Sequence, residues 1–326
     1  MQQLRFLGLV CCLCFIRGAP LADQVEALPG WDQPLLSKVY SGYIDAGTSC
    51  QEAKCFKMHE HYMFIESENS PSSDPVLLWT NGGPGAASLY GLFVELGPYS
   101  LSDRSMNTLE HNETGIPTLF RNRFSWTKFA NLLIINSPPP VGFSYCDPAG
   151  PSGDGRSCGV WNDTRTADHN LQFLKNWFKA FPEYITNKLY LSGESYAGIY
   201  VPTLARAILE DKQFSSSINF AGWAVGDACV GNEVLCGEEG PYNFVEFMHG
   251  HGQFSDHTYS LIQRDCTALE LARNVPKSKA CQSALEDMAR EVGGYYTYSL
   301  YDECFYSNDF APPPPRWARA LSLAPR

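Results

Sequence analysis

The chain has 326 residues, 35 acidic against 24 basic side chains and a formal net charge of −11. With 44% apolar and 18% charged residues it has the composition of a folded globular protein, not of a disordered one. The acidic balance argues against a nucleic-acid partner, because neutralising phosphates takes a basic surface.

Arg5 opens the N-terminus, Phe6 to Ile16 is apolar, and small residues follow at Gly18, Ala19 and Ala22. This pattern predicts a signal peptide over residues 1–22, with an apolar run too short to cross a bilayer. No later run is apolar for long enough, so no membrane anchor is expected. Three of the 12 cysteines leave with the signal and nine remain, several close enough in sequence to close short disulfide loops. Nine is odd, so at least one is expected to lack a partner within this chain. The sequons Asn112-Glu113-Thr114 and Asn162-Asp163-Thr164 are candidate glycosylation sites and suit the same secretory route.

His59-Glu60-His61 leads into a strand, Tyr62 to Ile65. Alternation places both histidines on one face, expected to be solvated, so no metal site is expected. Val76 to Trp79 is a short apolar strand running into Asn81-Gly82-Gly83-Pro84-Gly85, a loop that cannot be helical. Ala86 to Leu96 has helical spacing in Leu89, Leu92, Phe93 and Leu96, and stops at Gly97-Pro98. Asn131 to Ile135 is apolar almost throughout, as in a strand covered on both faces. Thr164 to Phe181 predicts an amphipathic helix with Leu171, Leu174, Trp177 and Phe178 on one side. Lys188 to Leu191 is the next strand. It turns through Gly193 to Gly198 into a helix ending near Asp211, which Pro202 starts or kinks. Ile218 to Ala228 is a further strand. Such alternation predicts an α/β fold with a doubly wound, mostly parallel sheet over residues 23–229. Residues 230–307, with helical patterns at Tyr259 to Cys266 and Ala284 to Val292, read as an inserted helical subdomain. Residues 308–326, with Pro312 to Pro315, read as a low-complexity tail.

Gly193-x-Ser195-x-Ala197 between strand and helix is the pattern of a nucleophile elbow, in which small neighbours let a sharp turn hold a serine outside the sheet edge. The glycines of Asn81 to Gly85 would let a backbone N–H approach a reacting carbonyl and stabilise its developing charge. By itself, each pattern also fits a simple turn.

Taken together, Trp79-Thr80-Asn81-Gly82-Gly83-Pro84-Gly85, Glu95-Leu96-Gly97-Pro98, Asn136-Ser137-Pro138 to Val141-Gly142-Phe143-Ser144-Tyr145 and Gly193-Glu194-Ser195-Tyr196-Ala197-Gly198 resemble, in order and spacing, the signatures of the serine carboxypeptidases. Those α/β-hydrolases, vacuolar and lysosomal, remove C-terminal amino acids at acidic pH. The resemblance spans roughly residues 23 to 307. It implies that Ser195 attacks the peptide carbonyl and that the amides of Gly83 and Tyr196 form the oxyanion hole. It further implies that Asn81, Gly82, Glu95 and Glu194, supported by Trp79, hold the substrate's terminal carboxylate. Two carboxylates in one place share a proton, so activity is expected to be best in acid. The substrate partners are peptide or protein C-termini, no cofactor is implied, and the chain is expected to be secreted or vacuolar/lysosomal.

Three features depart from the family pattern. Ala86-Ala87-Ser88 lacks the usual cysteine after the Gly-Gly-Pro-Gly run. Ser137-Pro138-Pro139-Pro140 replaces a small pair. No Asp and His follow Ser195 in the expected order, and the family's final strands are not recognised. His249, His251 and His257, with Asp227 or Asp265, fall in or beside the insertion and read as structural. The expectation is a C-terminally incomplete carboxypeptidase. The alternatives are an acyltransferase on the same scaffold and a non-catalytic secreted peptide-binding protein.

Overall fold

The computed structural model describes residues 18–148, 158–230, 241–273, 277–295 and 299–301. The expected signal peptide and the 308–326 tail therefore lie largely or wholly outside the described residues. The chain divides into two units, Met1–Cys229 and Val230–Arg326.

In the first unit the strands are β1 (Gln24–Val25), β2 (Val39–Gln51), β3 (Lys54–Ile65), β4 (Val76–Thr80), β5 (Tyr99–Ser100), β6 (Phe120–Arg121), β7 (Asn131–Ile135), β8 (Tyr145–Asp147), β9 (Lys188–Glu194) and β10 (Asn219–Gly226). Its helices are α1 (Leu109–Thr114), α2 (Asp163–Ala180), α3 (Ala197–Glu210) and α4 (Lys212–Ser215). The main sheet runs β1-β2-β3-β7-β4-β9-β10, with β8 paired to β3. Strands β7, β4, β9 and β10 are parallel. The other pairs are antiparallel. The sheet is thus mixed, where a mostly parallel one is expected from the sequence. The motif-bearing half is parallel as the alternation predicts, and the long β2–β3 hairpin adds an antiparallel half.

Every residue of β7 is buried. One sheet face, with Leu78, Leu133 and Leu191, packs against Phe173, Leu174 and Trp177 of α2 and Leu204 and Ile208 of α3. The other, with Trp79, Leu132 and Ile134, packs against Leu92, Leu96, Tyr99 and Leu119. Helix α2 starts where Asn162 accepts a bond from the Arg165 amide, and Pro202 lies inside α3. The helix expected from Ala86 begins only at Leu89 and is wound as a π-helix over Gly91–Leu96. Ser88 Oγ accepts from the Asn81 amide and Asn81 Oδ1 from the Gly91 amide. These bonds tie the preceding residues to the loop. A π-turn of this kind is frequent at functional sites.

The second unit is helical: α5 (Tyr242–Gly250), α6 (Asp256–Asp265), α7 (Ala268–Arg273) and α8 (Lys279–Val292). Its core gathers Val245, Met248, Ile262, Leu285 and Met288. Disulfides join Cys50 to Cys55, Cys146 to Cys158 and Cys266 to Cys281, and Cys229 is also disulfide-bonded. Among the described residues no helix is long and apolar enough to cross a membrane.

Candidate active site

Strand β9 ends at Glu194 and α3 begins at Ala197, so Ser195 sits on the sharp turn between them. Its φ of 58° lies in the left-handed region, which is strained for a residue with a Cβ. The turn is pinned on both sides. The Ser195 amide donates to Gly226 O at 3.1 Å, and Ser195 O accepts from Cys229 N at 2.8 Å and Gly198 N at 2.9 Å. The flanking residues have no room for side chains. A Cβ at Gly193 would lie 2.3 Å from Thr80 O, and one at Gly198 2.0 Å from Cys229 O. Ser195 is left exposed at the end of the sheet.

The glycine loop after β4 lies directly against this turn. A Cβ at Gly82 would fall 2.3 Å from the Tyr196 nitrogen and 2.8 Å from Ser195 Cβ. Among the described residues neither the Gly83 amide nor the Tyr196 amide has a hydrogen-bond acceptor. Two further bonds hold the arrangement. The Gly85 amide donates to the Tyr200 hydroxyl of α3 at 3.2 Å, and the Tyr196 hydroxyl donates to Asp163 of α2 at 3.0 Å.

Asn81 is buried and is the hub of the site. Its Oδ1 accepts from the Trp79 indole at 2.9 Å and from the Gly91 amide at 3.1 Å. Its Nδ2 is thereby aimed at Glu194 Oε1, 2.7 Å away. Trp79 is itself buried, edge-on to Trp126 at 5.5 Å. Glu95, from the π-helix, meets Glu194. Loss of hydration, followed by the charge of Glu194 and a hydrogen bond with it, raises the Glu95 carboxyl to about 7. The structure therefore brings Trp79, Asn81, Gly82, Gly83, Glu95, Glu194, Ser195 and Tyr196 to one end of the parallel strands. Sequence reasoning did not single out Ser88, Asp163 or Tyr200, which tie these residues together. Their only sequence signal is a polar group close to a motif.

Asn112 and Asn162 are both exposed, Asn112 within α1 and Asn162 at the N-terminal cap of α2. His59 and His61 do not share a solvated face as expected. β8 pairs along that stretch of β3, and the rings of Tyr43, Phe143 and Tyr145 cover the histidines. His61 is buried, with Nε2 3.0 Å from Ser41 Oγ and Nδ1 accepting from Asn136 Nδ2 at 2.9 Å. Burial lowers it to about 4, so it is neutral. His59 pairs with Asp147, and His169 bonds Ala46 O. Among the described residues no histidine hydrogen-bonds Ser195. In the second unit His249 bonds Asp256 at 2.9 Å and stacks on Tyr259, and His251 bonds Phe247 O. Asp265 is bonded by Arg264, and Asp227 is exposed on the first unit.

The family model for serine carboxypeptidases matches residues 29–321. The mouse lysosomal protective protein is 38% identical over 289 residues, which are 88% of this chain and 53% of that protein. Barley serine carboxypeptidase 1 is 33% identical over 294 residues, 89% of this chain and 53% of its own length. The chain thus spans about half the length of the curated relatives it matches. Among solved structures, the yeast prohormone-processing carboxypeptidase Kex1 superposes with a TM-score of 0.59 at 22% identity. That match covers 86% of this chain and 59% of the yeast chain, a likeness of fold.

Proposed function

The chain belongs to the serine carboxypeptidase family, and from this premise we propose that it carries the nucleophile and the carboxylate-binding half of a serine-type carboxypeptidase. The observation that carries the reading is the Asn81 hub. One buried side chain links Trp79 and the Gly91 amide to Glu194, the residue before the exposed Ser195.

In this reading a peptide lays its terminal carboxylate on Asn81, the Gly82 backbone and the Glu95–Glu194 pair. Below about pH 7 the pair retains a proton and donates it to the carboxylate. The preceding carbonyl then faces Ser195 Oγ. Attack forms the Oγ–C bond and drives the carbonyl electrons onto oxygen, where the Gly83 and Tyr196 amides receive them. Collapse breaks the C–N bond, the serine's proton ends on the departing amine, and the terminal amino acid leaves. Water then cleaves the acyl-enzyme, releasing the shortened peptide and restoring the serine. The proton transfers need a base. We assign it to the part of the relatives' length that this chain does not span. The reading includes the secretory route and an acidic secreted, vacuolar or lysosomal setting.

The test, on a chain extended over the relatives' full length so that the base is present, is fluorophosphonate labelling, alongside release of C-terminal amino acids from peptides at pH 5 and pH 8. Labelling that Ser195→Ala abolishes supports the nucleophile. Release at pH 5 from peptides with a free terminus, but not from amidated ones, supports the clamp. Labelling that survives Ser195→Ala overturns the reading.

A further inference from the structure

Glu60 breaks an apolar row. On β3 the alternate residues Phe56, Met58, Tyr62 and Phe64 all belong to the core beneath α2, and Glu60 lies among them with 0% exposure. Its Oε1 is 3.3 Å from Ser137 Oγ, and its Oε2 is buried with no partner among the described residues. Ser137 Oγ is 2.5 Å from Asn170 Oδ1 of α2. A serine hydroxyl has one hydrogen. Spent on the shorter contact to Asn170, it leaves the Glu60 contact to be filled by a carboxyl proton. The chain of bonds then runs from Glu60 through Ser137 to Asn170.

Among the described residues no nearby charge accounts for this. His59 and His61 project from the opposite face of β3. On the neighbouring β2, Asp45 is engaged by Lys57. On α2, Arg165 bonds Ser49, Val160 and Cys158, and His169 bonds Ala46. Burial alone raises the carboxyl to about 8, against a smaller lowering by Ser137.

Ser137 opens the segment Pro138 to Gly142. With Pro84, Gly85 and Tyr196 this segment walls a cavity of about 590 Å³ beside the nucleophile turn. A Cβ on Gly85 would lie 3.9 Å from Val141 Cγ2, so the wall and the glycine loop are neighbours. We propose that Glu60 is a positioning residue that keeps its proton, donates it to Ser137 and so fixes the wall of the cavity beside Ser195. The effect on reactivity rests on the reading of Ser195 as nucleophile. The protonation and the latch do not. Above pH 8 the ionised carboxyl is a buried charge without a partner, and the latch opens.

The experiment compares the same extended chain with Glu60→Gln, which keeps a donor but cannot ionise, and Glu60→Leu, which fills the row without one. A protonated-carboxyl infrared band is expected at pH 6 in wild type, lost in E60Q, and titrating near pH 8. Amide exchange in the Ser137–Ser144 segment, corrected for its intrinsic pH dependence, is expected to rise about tenfold in E60L at pH 6 and in wild type above pH 8, but not in E60Q. Fluorophosphonate labelling of Ser195 should fall wherever the exchange rises. Absence of the band at pH 6, or exchange in E60Q that rises as in wild type, overturns the latch. Labelling unchanged in E60L while the exchange rises overturns the positioning role. If Ser195 is not labelled in wild type, it is the nucleophile reading that fails, and the band and exchange still decide the latch.

Discussion

At the scale of single residues, strain and proton sharing concentrate around Ser195. Its left-handed backbone stores about 1–3 kcal/mol that the Gly226 and Cys229 bonds hold in place. Replacing Ser195 with Gly is therefore expected to raise stability by about 1 kcal/mol, whereas Ser195→Ala, which keeps the Cβ, is expected to leave it unchanged. Thermal melts of the two variants check this. Glu95 supplies the pH response. Its carboxyl is raised to about 7, so the proton proposed to bind a terminal carboxylate is present below pH 7 and lost as pH rises through it. Affinity for a dipeptide with a free terminus is expected to fall by about tenfold or more from pH 6 to pH 8, the worth of one charge-assisted hydrogen bond. Glu95→Gln should flatten that fall in a calorimetric titration. The sign for stability is the same. A raised acid contributes most below its unfolded value and loses that contribution as pH passes about 7.

At the scale of elements, caps and short cross-links decide how well the scaffold holds the site. Asn162 caps α2, whose first turn presents Asp163 to Tyr196. Asn162→Ala is expected to cost about 1 kcal/mol, and Asn162→Asp to restore most of it. Neither variant can carry a glycan there, so a difference in their melts isolates the cap. The β2–β3 hairpin is closed by Cys50–Cys55, a separation of 5 residues. Replacing both cysteines with Ala should lower stability by about 2 kcal/mol, the loop-closure value for so short a ring. Strand β2 carries little periodic signal in its sequence. Ser41, Gly42, Asp45 and Gly47 interrupt its apolar residues, and its register is set by pairing with β3 over its whole length. The shortened helix after the glycine loop was hidden for a related reason. The pattern of Leu89, Leu92, Phe93 and Leu96 is compatible with an α-helix, and only the bonds to Asn81 from across the loop select the wider turn.

At the scale of the molecule, the sheet has a protected middle and, among the described residues, an exposed outer strand. β7 is buried along its length, while β10, last in the strand order, is partly or fully exposed at every residue and carries Trp223 at 51% exposure. Hydrogen exchange is expected to be slowest in β7 and β4 and much faster in β10, and peptide-resolved exchange would show it. An outer strand of this kind also invites pairing with other chains. Trp223→Lys is accordingly expected to reduce concentration-dependent association, as measured by sedimentation.

The sequence by itself determined the parallel strands and which motif residues lie at their ends. Apolar runs such as Asn131 to Ile135 are buried whatever surrounds them, and Gly-x-Ser-x-Ala between strand and helix admits few conformations. It also indicated Glu95 and Glu194 through their place in family motifs. Only the tertiary structure decided that these two carboxyls meet, that Asn81 is the hub between them and Trp79, and that His61 is covered. Those outcomes depend on contacts between residues far apart in the chain, for which local periodicity carries no signal. The same holds for Ser195. Its turn is written in four neighbouring residues, but what surrounds it is assembled from three strand ends and the starts of two helices.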